Sequence, residues 1–314
     1  MRPRSFRALL VAALTVTTTL SMTPPGTAAA AESTPVFGGR FSTIPIDVGG
    51  SYTPLPLFCG GAPDILWYAA GAAMDVWWRD VDTSGPSVTY VNWELFVSGN
   101  YRPFTGDFDG DNCDDVVWYS PGPAPDYVWY FAADHSYTQV AVSVNGDYVP
   151  IVGNFESSDL RQDIYWYAPG SGAESIWLGN GSRTFTSTTA PQVSGTYAPV
   201  PLGSTSVLWY APGTAQDYVT TVEAGSTTPT SSVRTTINGQ YRPFGVGRTP
   251  VLHAPGPGTD YVVTGLGAAL PDGSVPLTTT PGAINGAFVA GNGARVELAV
   301  LHAPGPARDY LIGS

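Results

Sequence analysis

A short phrase of the form Gly-x-Tyr-x-Pro recurs along the chain at intervals of 44 to 49 residues. Its aromatic residue is Tyr52, Tyr101, Tyr148, Tyr197 and Tyr241 in five copies, and Phe288 in a weaker sixth copy that lacks the proline. A fixed period of this length is typical of repeat architectures, in which each unit buries its apolar surface only against its neighbours. The chain is therefore predicted to fold as six copies of one structural unit.

A second phrase runs in register with the first and has the form Trp-Tyr-x-Pro-Gly, followed four residues later by an acid. The acids are Asp75, Asp126, Glu174, Asp217, Asp260 and Asp309. The last two copies carry His253 and His302 in the tyrosine position, and Ala70 replaces the proline in the first copy. Because all six copies keep the glycine and the acid at one spacing, we expect the acid to cap the hairpin at each turn.

Each repeat contains strand patterns only. Segments such as 115–119, 127–131 and 138–144 are aromatic or alternating, and Pro-Gly or Asn-Gly turns separate them. Four such strands in a unit of this length are typical of a propeller blade. The sequence thus predicts an all-β, six-bladed β-propeller of four-stranded blades. An open β-solenoid is the structural alternative, although its repeats are usually shorter.

The two ends of the chain complement each other. The last repeat stops after its third strand, whereas the segment 41–49 has the pattern of a fourth strand. We predict that this N-terminal strand completes the last blade, so that the ring closes without an exposed sheet edge. Residues 32–314 would then form a single propeller domain of six repeats.

The first 31 residues have the pattern of a secretory signal peptide. Arg2, Arg4 and Arg7 precede an apolar run that ends near Leu20, and a run of alanines at 28–31 offers a cleavage site. A signal anchor is the alternative, but the apolar run is shorter than the ~20 residues that a membrane span needs. The sequence predicts a secreted, extracellular protein without membrane insertion, and we expect a monomer.

The charge balance narrows the range of partners. The whole chain carries 13 Lys and Arg against 25 Asp and Glu, and none of the cations is lysine. Removal of residues 1–31 takes away three arginines and no acid, which leaves a net charge of about −15. Such a field repels phosphate backbones and attracts divalent cations. We therefore expect no nucleic-acid partner.

The acids of repeat two are concentrated in one loop between its first and second predicted strands. Asp107, Asp109, Asp111 and Asp115 occupy loop positions one, three, five and nine, and the backbone carbonyl of Cys113 occupies position seven. Oxygen ligands at this density suit Ca²⁺, whereas Mg²⁺ needs a stricter octahedron and keeps more of its water. The sequence predicts a Ca²⁺ site, and an acid-rich solvated turn is the alternative.

The same loop carries a resemblance to a known family. The segment 106–111, Gly-Asp-Phe-Asp-Gly-Asp, followed by 115–118, Asp-Val-Val-Trp, resembles the FG-GAP or VCBS-type repeat of integrin-α-like propellers and of many secreted bacterial proteins. The repeat pattern covers residues 32–314, but the ion-binding motif is intact only in repeat two. The resemblance implies that the loop is a structural Ca²⁺ site. Propellers of this family are often seven-bladed, so six repeats depart from it.

Repeat three contains a partial version of this loop, with one residue inserted before the last acid. Its candidate ligands for a weak second metal site are Asn154, Glu156, Ser158 and Asp163. Repeat one keeps only Asp64, and the corresponding loops of repeats four to six are short and largely uncharged. We therefore expect few bound ions.

The two cysteines, Cys59 and Cys113, fall in the same loop of neighbouring repeats. These loops are adjacent in a ring, and an exported chain allows a disulfide to persist. We expect a disulfide between blades one and two. Two unpaired thiols are the alternative.

The sequence offers few catalytic groups. His253 and His302 occupy repeat positions and are expected to be structural, and His135 lies near a predicted turn and is expected to be exposed. The chain contains no His-Glu-x-x-His signature and no phosphate-binding glycine loop. Paired carboxylates on the central axis would allow glycoside hydrolysis, so an extracellular polysaccharide-directed hydrolase is the alternative function.

All nine tryptophans lie in repeats one to four. The tryptophans of the second phrase, Trp67, Trp118, Trp166 and Trp209, are expected in the core between blades. Trp78 and Trp93 have weaker counterparts in other repeats, so both are candidates for stacking on sugar rings. We predict a non-enzymatic binding or scaffold module whose ligand is a glycan or an extracellular protein.

Overall fold

The computed structural model describes residues 34–85, 87–156, 158–256, 258–293, 298–305 and 307–313. Within these ranges the chain forms 24 β-strands, arranged as six four-stranded antiparallel sheets, and no helix. Accordingly, the described part of the chain contains no helix with the length and apolar character of a membrane span. The predicted signal peptide, residues 1–31, lies outside the described residues.

Five blades are each formed by four consecutive strands. Blade one contains β2 (Thr53–Leu57), β3 (Asp64–Tyr68), β4 (Asp75–Asp82) and β5 (Thr89–Leu95). Blade two contains β6 (Arg102–Gly106), β7 (Asp115–Tyr119), β8 (Asp126–Phe131) and β9 (Tyr137–Val142). Blade three contains β10 (Val149–Gly153), β11 (Asp163–Tyr167), β12 (Ser175–Asn180) and β13 (Thr184–Thr189). Blade four contains β14 (Ala198–Leu202), β15 (Ser206–Tyr210), β16 (Asp217–Thr221) and β17 (Ser231–Thr235). Blade five contains β18 (Arg242–Val246), β19 (Thr249–His253), β20 (Asp260–Leu266) and β21 (Leu277–Gly282).

Blade six joins the two ends of the chain. It contains β22 (Val289–Asn292), β23 (Leu298–His302), β24 (Asp309–Gly313) and the N-terminal strand β1 (Ser42–Ile46). All five residues of β1 pair antiparallel with β24. The backbone N–H of Val48 also donates to Asp309 Oδ2 at 2.6 Å. The prediction that an N-terminal strand completes the last blade is confirmed.

The first strands of the six blades surround the centre of the ring. Each contacts the first strand of both neighbouring blades, and β22 contacts β2, so the ring is closed. Every residue of β3, β7, β11 and β19 is buried, because the second strand of a blade has neighbouring blades on both faces. The predicted six-bladed propeller of four-stranded blades is thus confirmed.

The antiparallel order gives the ring two different faces. The connections between first and second strands, and those between third and fourth strands, lie at one end of each blade. We call this end the loop face. The connections between second and third strands, which contain the Pro-Gly turns, lie at the opposite end, which we call the clamp face.

The tryptophans of the second phrase pack between blades, as expected. Each contacts the tyrosine of the preceding blade edge-on, with ring centroids 5.0 to 5.2 Å apart, in the pairs Tyr68–Trp118, Tyr119–Trp166 and Tyr167–Trp209. Trp67 makes the corresponding contact with His302 across the closure, at 5.6 Å. Edge-on packing of buried rings is a favoured aromatic geometry and stabilises each blade interface.

The tyrosine of each second phrase also holds the Gly-x-Tyr segment of the next blade. The Tyr119 hydroxyl donates to the carbonyl of Gly146 at 2.8 Å and accepts the backbone N–H of Tyr148 at 2.9 Å. Tyr68, Tyr167 and Tyr210 make the same pair of bonds. Gly146 has φ 147°, and a Cβ there would lie 2.5 Å from the Tyr148 ring. A side chain at this position would collide with the tyrosine ring, so the recurring phrase requires glycine here.

The repeated acids connect two turns within their own blade. Asp126 Oδ1 accepts the N–H of Ser120 at 2.7 Å, and its Oδ2 accepts the N–H of Val144 at 2.8 Å. Asp75, Asp217, Asp260 and Asp309 do the same, and Glu174 accepts the N–H of Val193. The expected capping role is confirmed, and it extends to the segment that follows the fourth strand.

The two histidines replace the tyrosines in this arrangement. His302 Nδ1 donates to Asp309 at 2.7 Å, and its Nε2 accepts the N–H of Tyr52 in blade one at 3.1 Å. His253 Nδ1 donates to Asp260 at 2.8 Å. Both histidines are buried, as expected for structural residues.

Tyr119→Phe removes the hydroxyl that joins blades two and three and keeps the packing of the ring. We expect the free energy of unfolding to fall by about 1 kcal/mol, because two backbone groups lose their partner. Urea unfolding followed by tryptophan fluorescence measures the change. Tyr90→Phe is the control, since Tyr90 lies on an outer strand and stacks on Trp78 without a bridging hydroxyl bond. An equal effect of both variants would contradict the role of the Tyr119 hydroxyl in joining the two blades.

Candidate functional site

The acidic loop between β6 and β7 forms a compact group of carboxylates on the loop face. One oxygen from each of Asp107, Asp109 and Asp115 lies within 4.8 Å of the other two. Asp107 and Asp115 are buried, and the side chain of Asp109 is only 5% exposed. Three of the four predicted acidic ligands are thus brought together.

The backbone of the loop is shaped by these carboxylates. Asp107 accepts the N–H of Gly110 at 2.7 Å and that of Asn112 at 3.2 Å. Gly110 and Asn112 both have positive φ, 81° and 71°, which glycine and asparagine tolerate better than other residues. Asp115, the first residue of β7, accepts the N–H of Phe108 at 2.9 Å. The loop is therefore wound around its own carboxylates.

Asp111 is not part of the three-carboxylate group. Its Oδ1 accepts the N–H of Cys113 at 2.8 Å, in a local turn. Burial raises the pKa of the Asp111 carboxyl above its usual value. Ligation of an ion by Asp111 or by the carbonyl of Cys113 stays a prediction.

Arg183, from the turn between β12 and β13 of blade three, reaches this group. Its Nε donates to Asp109 Oδ2 at 2.9 Å, and its Nη1 donates to Thr138 Oγ1 at 3.0 Å. Its guanidinium also lies 5.8 Å from the centre of the Tyr130 ring. Arg183 could not be predicted from the sequence, because its distance from Asp109 along the chain gives no sign of the contact.

The negative charge of the group is only partly compensated. Burial, together with the nearby charges of Asp109 and Asp107, raises the pKa of Asp115 to about 9 against the effect of its backbone hydrogen bonds. One guanidinium faces three carboxyl groups. A divalent cation would supply the missing positive charge, and the all-oxygen donor set fits Ca²⁺.

Neighbouring blades hold the loop on both sides. A disulfide joins Cys59 of blade one to Cys113. On the other side, the N–H of Asp107 donates to Gln162 Oε1, and the N–H of Gln162 donates to the carbonyl of Asp107, both at 2.8 Å. The loop therefore connects blades one, two and three on the loop face.

The loop of repeat three has a different arrangement. Asp163 accepts backbone N–H groups of Phe155 and Gly179, and the Asn154 side chain donates to the carbonyl of Asp159. Burial raises the pKa of Asp163 to about 7. Within the described residues, which omit Ser157, no group of three carboxylates forms around Asn154, Glu156, Ser158 and Asp163. A metal ion there stays a prediction without geometric support.

Trp78 does not lie on the surface, so its proposed stacking on a sugar is wrong. It is 6% exposed, packs edge-on against Trp67 at 5.1 Å and is covered by Tyr90 at 3.9 Å. It follows its acid, Asp75, at the same three-residue spacing at which Trp129 and Trp177 follow theirs. Trp78 therefore belongs to a repeated core position.

Trp93, in contrast, is half exposed. It lies on β5, the outer strand of blade one, and 50% of its surface is accessible. The guanidinium of Arg79 lies 4.5 Å from the centre of its ring, in a cation–π arrangement. Trp93 thus presents an aromatic surface to solvent from a fixed position.

His135 differs from the expectation of an exposed turn residue. Its side chain is only one-fifth exposed, and its ring packs edge-on against Trp77 at 5.7 Å. The expectation was wrong because the turn between β8 and β9 folds against blade one. Its polar neighbours are Asp64 and Asp80.

The centre of the ring contains a cavity of about 220 Å³. Residues of all six blades line it, among them Leu55, Phe104, Ile151, Pro201, Arg248 and Asn292. Arg248 is the one charged side chain among the described lining residues, and none of these is a carboxylate. The described lining therefore lacks the pair of acids that glycoside hydrolysis on the axis requires.

The raised pKa of Asp115 predicts how the stability of the chelator-treated protein depends on pH. The usual pKa of the carboxyl is 3.8 and its folded value is about 9, so its stabilising contribution is complete below about pH 4 and is lost as the pH rises toward 9. Asp115→Asn stays neutral and escapes this loss. The difference in unfolding free energy between wild type and variant should therefore shrink or reverse with rising pH, as urea unfolding in EDTA measures. Parallel pH profiles of the two proteins would contradict the raised pKa of Asp115.

Comparisons with known proteins do not assign a function to this arrangement. No protein-family model matches the chain, and no curated protein is significantly similar to it. The function is therefore inferred from the residues and their geometry.

Proposed function

We propose that the chain is a secreted, non-enzymatic propeller that acts as a binding or scaffold module, with a structural Ca²⁺ ion in the loop of repeat two. The N-terminal pattern supports secretion. The observation that carries the binding role is the exposed apolar surface on one face of the outer strand β5, where Val91 and Trp93 are each about half exposed. Contiguous exposed apolar surface is typical of interaction sites.

The role proposed for Ca²⁺ is structural because an external ligand would have little access to the buried carboxylates. Asp107 and Asp115 are 3% and 0% exposed, and the loop is bonded to both neighbouring blades. An ion at this point would neutralise the group and fix the loop. Since Arg183 bonds to Asp109, its guanidinium competes with the ion for one carboxylate.

Calorimetric titration of the metal-free protein tests the ion site. We expect one Ca²⁺ per chain and a higher melting temperature on binding, because the ion binds only the folded loop. Asp109→Ala should abolish both effects. Arg183→Gln should tighten binding by about three- to tenfold, a coupling of about 1 kcal/mol, since it removes a competing cation.

The control for this titration is Asp147→Ala, which removes a charge from an exposed ion pair with Arg102 in the same blade. It should bind Ca²⁺ like the wild type. Absence of binding at millimolar Ca²⁺, or unchanged binding by Asp109→Ala, would contradict the site.

Trp93 favours a glycan as the ligand. An aromatic ring held in place by packing can stack on the apolar face of a sugar, and the Arg79 guanidinium beneath Trp93 restricts its motion. Arg79 also lies 5.4 Å from the ring of Trp77, so the three side chains form one stack. The surface is therefore preorganised, which reduces the entropy lost on binding.

A glycan-binding screen followed by titration of the best ligand tests this role. Trp93→Ala should weaken binding by about tenfold, because aromatic stacking contributes about 0.5–1.5 kcal/mol beyond the area that it buries. Tyr137→Ala is the matched control, since Tyr137 is an equally exposed aromatic residue at the outer strand of blade two. Equal losses in both variants would contradict a specific role for Trp93. If no glycan binds, a protein ligand at the same surface becomes the favoured alternative.

The alternative function, an extracellular polysaccharide-directed glycoside hydrolase, has weaker support. The six repeated acids accept backbone N–H groups, and the described lining of the central cavity contributes no carboxylate. Activity on a polysaccharide that a single change of a nonrepeated Asp or Glu abolishes would establish the hydrolase instead.

A further inference from the structure

A second cluster of metal-ligating side chains lies on the loop face, between blades one and two. Asp64 is the first residue of β3, Asp80 lies in β4, and His135 lies in the turn between β8 and β9. His135 Nε2 is 3.4 Å from Asp64 Oδ2 and 3.8 Å from Asp80 Oδ1. One donor atom from each residue lies within 4.8 Å of the other two.

The separations between these donor atoms are close to those between the ligand atoms of a bound transition metal. Zn²⁺ binds nitrogen and oxygen at about 2.0–2.1 Å with tetrahedral geometry, which places neighbouring donor atoms about 3.3–3.4 Å apart. The shorter observed distance already has this value, and the longer one requires a shift of a few tenths of an ångström. The imidazole distinguishes this donor set from the all-oxygen group of repeat two and favours Zn²⁺ over Ca²⁺.

The surrounding residues hold the donors in position. Trp77 Nε1 donates to Asp64 Oδ2 at 3.1 Å, and the N–H of Asp80 donates to Asp64 Oδ1 at 2.8 Å. The Trp77 ring also packs edge-on against the His135 imidazole. Bonds of this kind orient metal ligands and raise the affinity of metal sites. The pairing of β4 with β5 shifts between Arg79 and Asp82, which places Asp80 at an irregularity of the strand.

The cluster is accessible to an ion from solvent. The Asp80 side chain is 57% exposed, whereas those of His135 and Asp64 are 20% and 10% exposed. An ion could therefore enter past Asp80 and bind the two less exposed ligands. Three protein ligands leave the fourth tetrahedral position for water or for an external ligand.

We propose that Asp64, Asp80 and His135 form a Zn²⁺-type site that joins blades one and two. The site is independent of the Ca²⁺ loop, since it shares no residue with it and uses a different donor set. Bound metal would add a second link between these blades beside the disulfide of Cys59 and Cys113.

The test uses the mature protein without an affinity tag, in saturating Ca²⁺ and after removal of other metals. Calorimetric titration with ZnCl₂ should show one site per chain, and Co²⁺ should give visible d–d absorption that Zn²⁺ removes. His135→Gln and Asp80→Asn should each weaken Zn²⁺ binding by at least about tenfold. Because Asp80 is largely exposed, its variant tests the site even if His135→Gln fails to fold.

Asp82→Asn and Asp147→Ala are the controls, since each removes a carboxylate outside the cluster and outside the Ca²⁺ loop. Both should bind Zn²⁺ like the wild type. Absence of Zn²⁺ binding at about 100 μM, where a site of micromolar affinity would be saturated, would overturn the proposal and leave the cluster as an ion pair. Unchanged Zn²⁺ binding by Asp80→Asn and His135→Gln would overturn it as well.

Discussion

The ring depends on one repeated contact, in which a tyrosine hydroxyl of one blade holds the Gly-x-Tyr segment of the next. The contact works only if the glycine adopts its left-handed conformation and the tyrosine lies at the buried end of a second strand. The acid four residues after the Pro-Gly turn then fixes the turn beside it. Each blade supplies one half of the contact to each of its neighbours. The stability of the ring is therefore built up from interfaces between neighbouring blades.

Closure uses the same contact with altered chemistry. His302 replaces the tyrosine, and it bonds to Tyr52 of blade one and to Asp309 of its own blade. Asp309 in turn accepts the N–H of Val48, which follows β1. The final blade is therefore held to the start of the chain both by strand pairing and by side chains. The strand β24 therefore has a partner on both sides.

The two faces of the ring have diverged to different extents. The clamp face repeats nearly the same bonds around the ring, whereas the loop face of blades one to three carries the disulfide, the three-carboxylate group and the cluster of Asp64, Asp80 and His135. The interfaces differ as well. Thr220 of blade four occupies the position of Trp78, Trp129 and Trp177, and it accepts the indole N–H of Trp209 at 2.8 Å. A cleft of about 210 Å³, lined by Tyr165, Tyr197 and Tyr218, lies between blades three and four.

The sequence predicted what depends on period and spacing. The six blades, the completing strand and the core tryptophans follow from recurring positions, which a single alignment of the chain with itself shows. The contacts of Arg183 and His135 were not predictable in this way, because they depend on how a hairpin turn of one blade packs against the neighbouring blade. Trp78 was predictable, since its spacing from Asp75 matches that of Trp129 from Asp126. Asp111 was assigned to the ion from loop position alone, but its carboxyl accepts the N–H of Cys113 and is not part of the three-carboxylate group.

The most direct test of the closed ring is hydrogen–deuterium exchange, followed by mass spectrometry, on mature protein with and without residues 32–48. If β1 closes the ring, its removal exposes the edge of β24 and breaks the bond between Val48 and Asp309. Peptides of β24 should then exchange much faster, and the melting temperature should fall. Unchanged protection of β24 together with an unchanged melting temperature would contradict closure of the ring by β1.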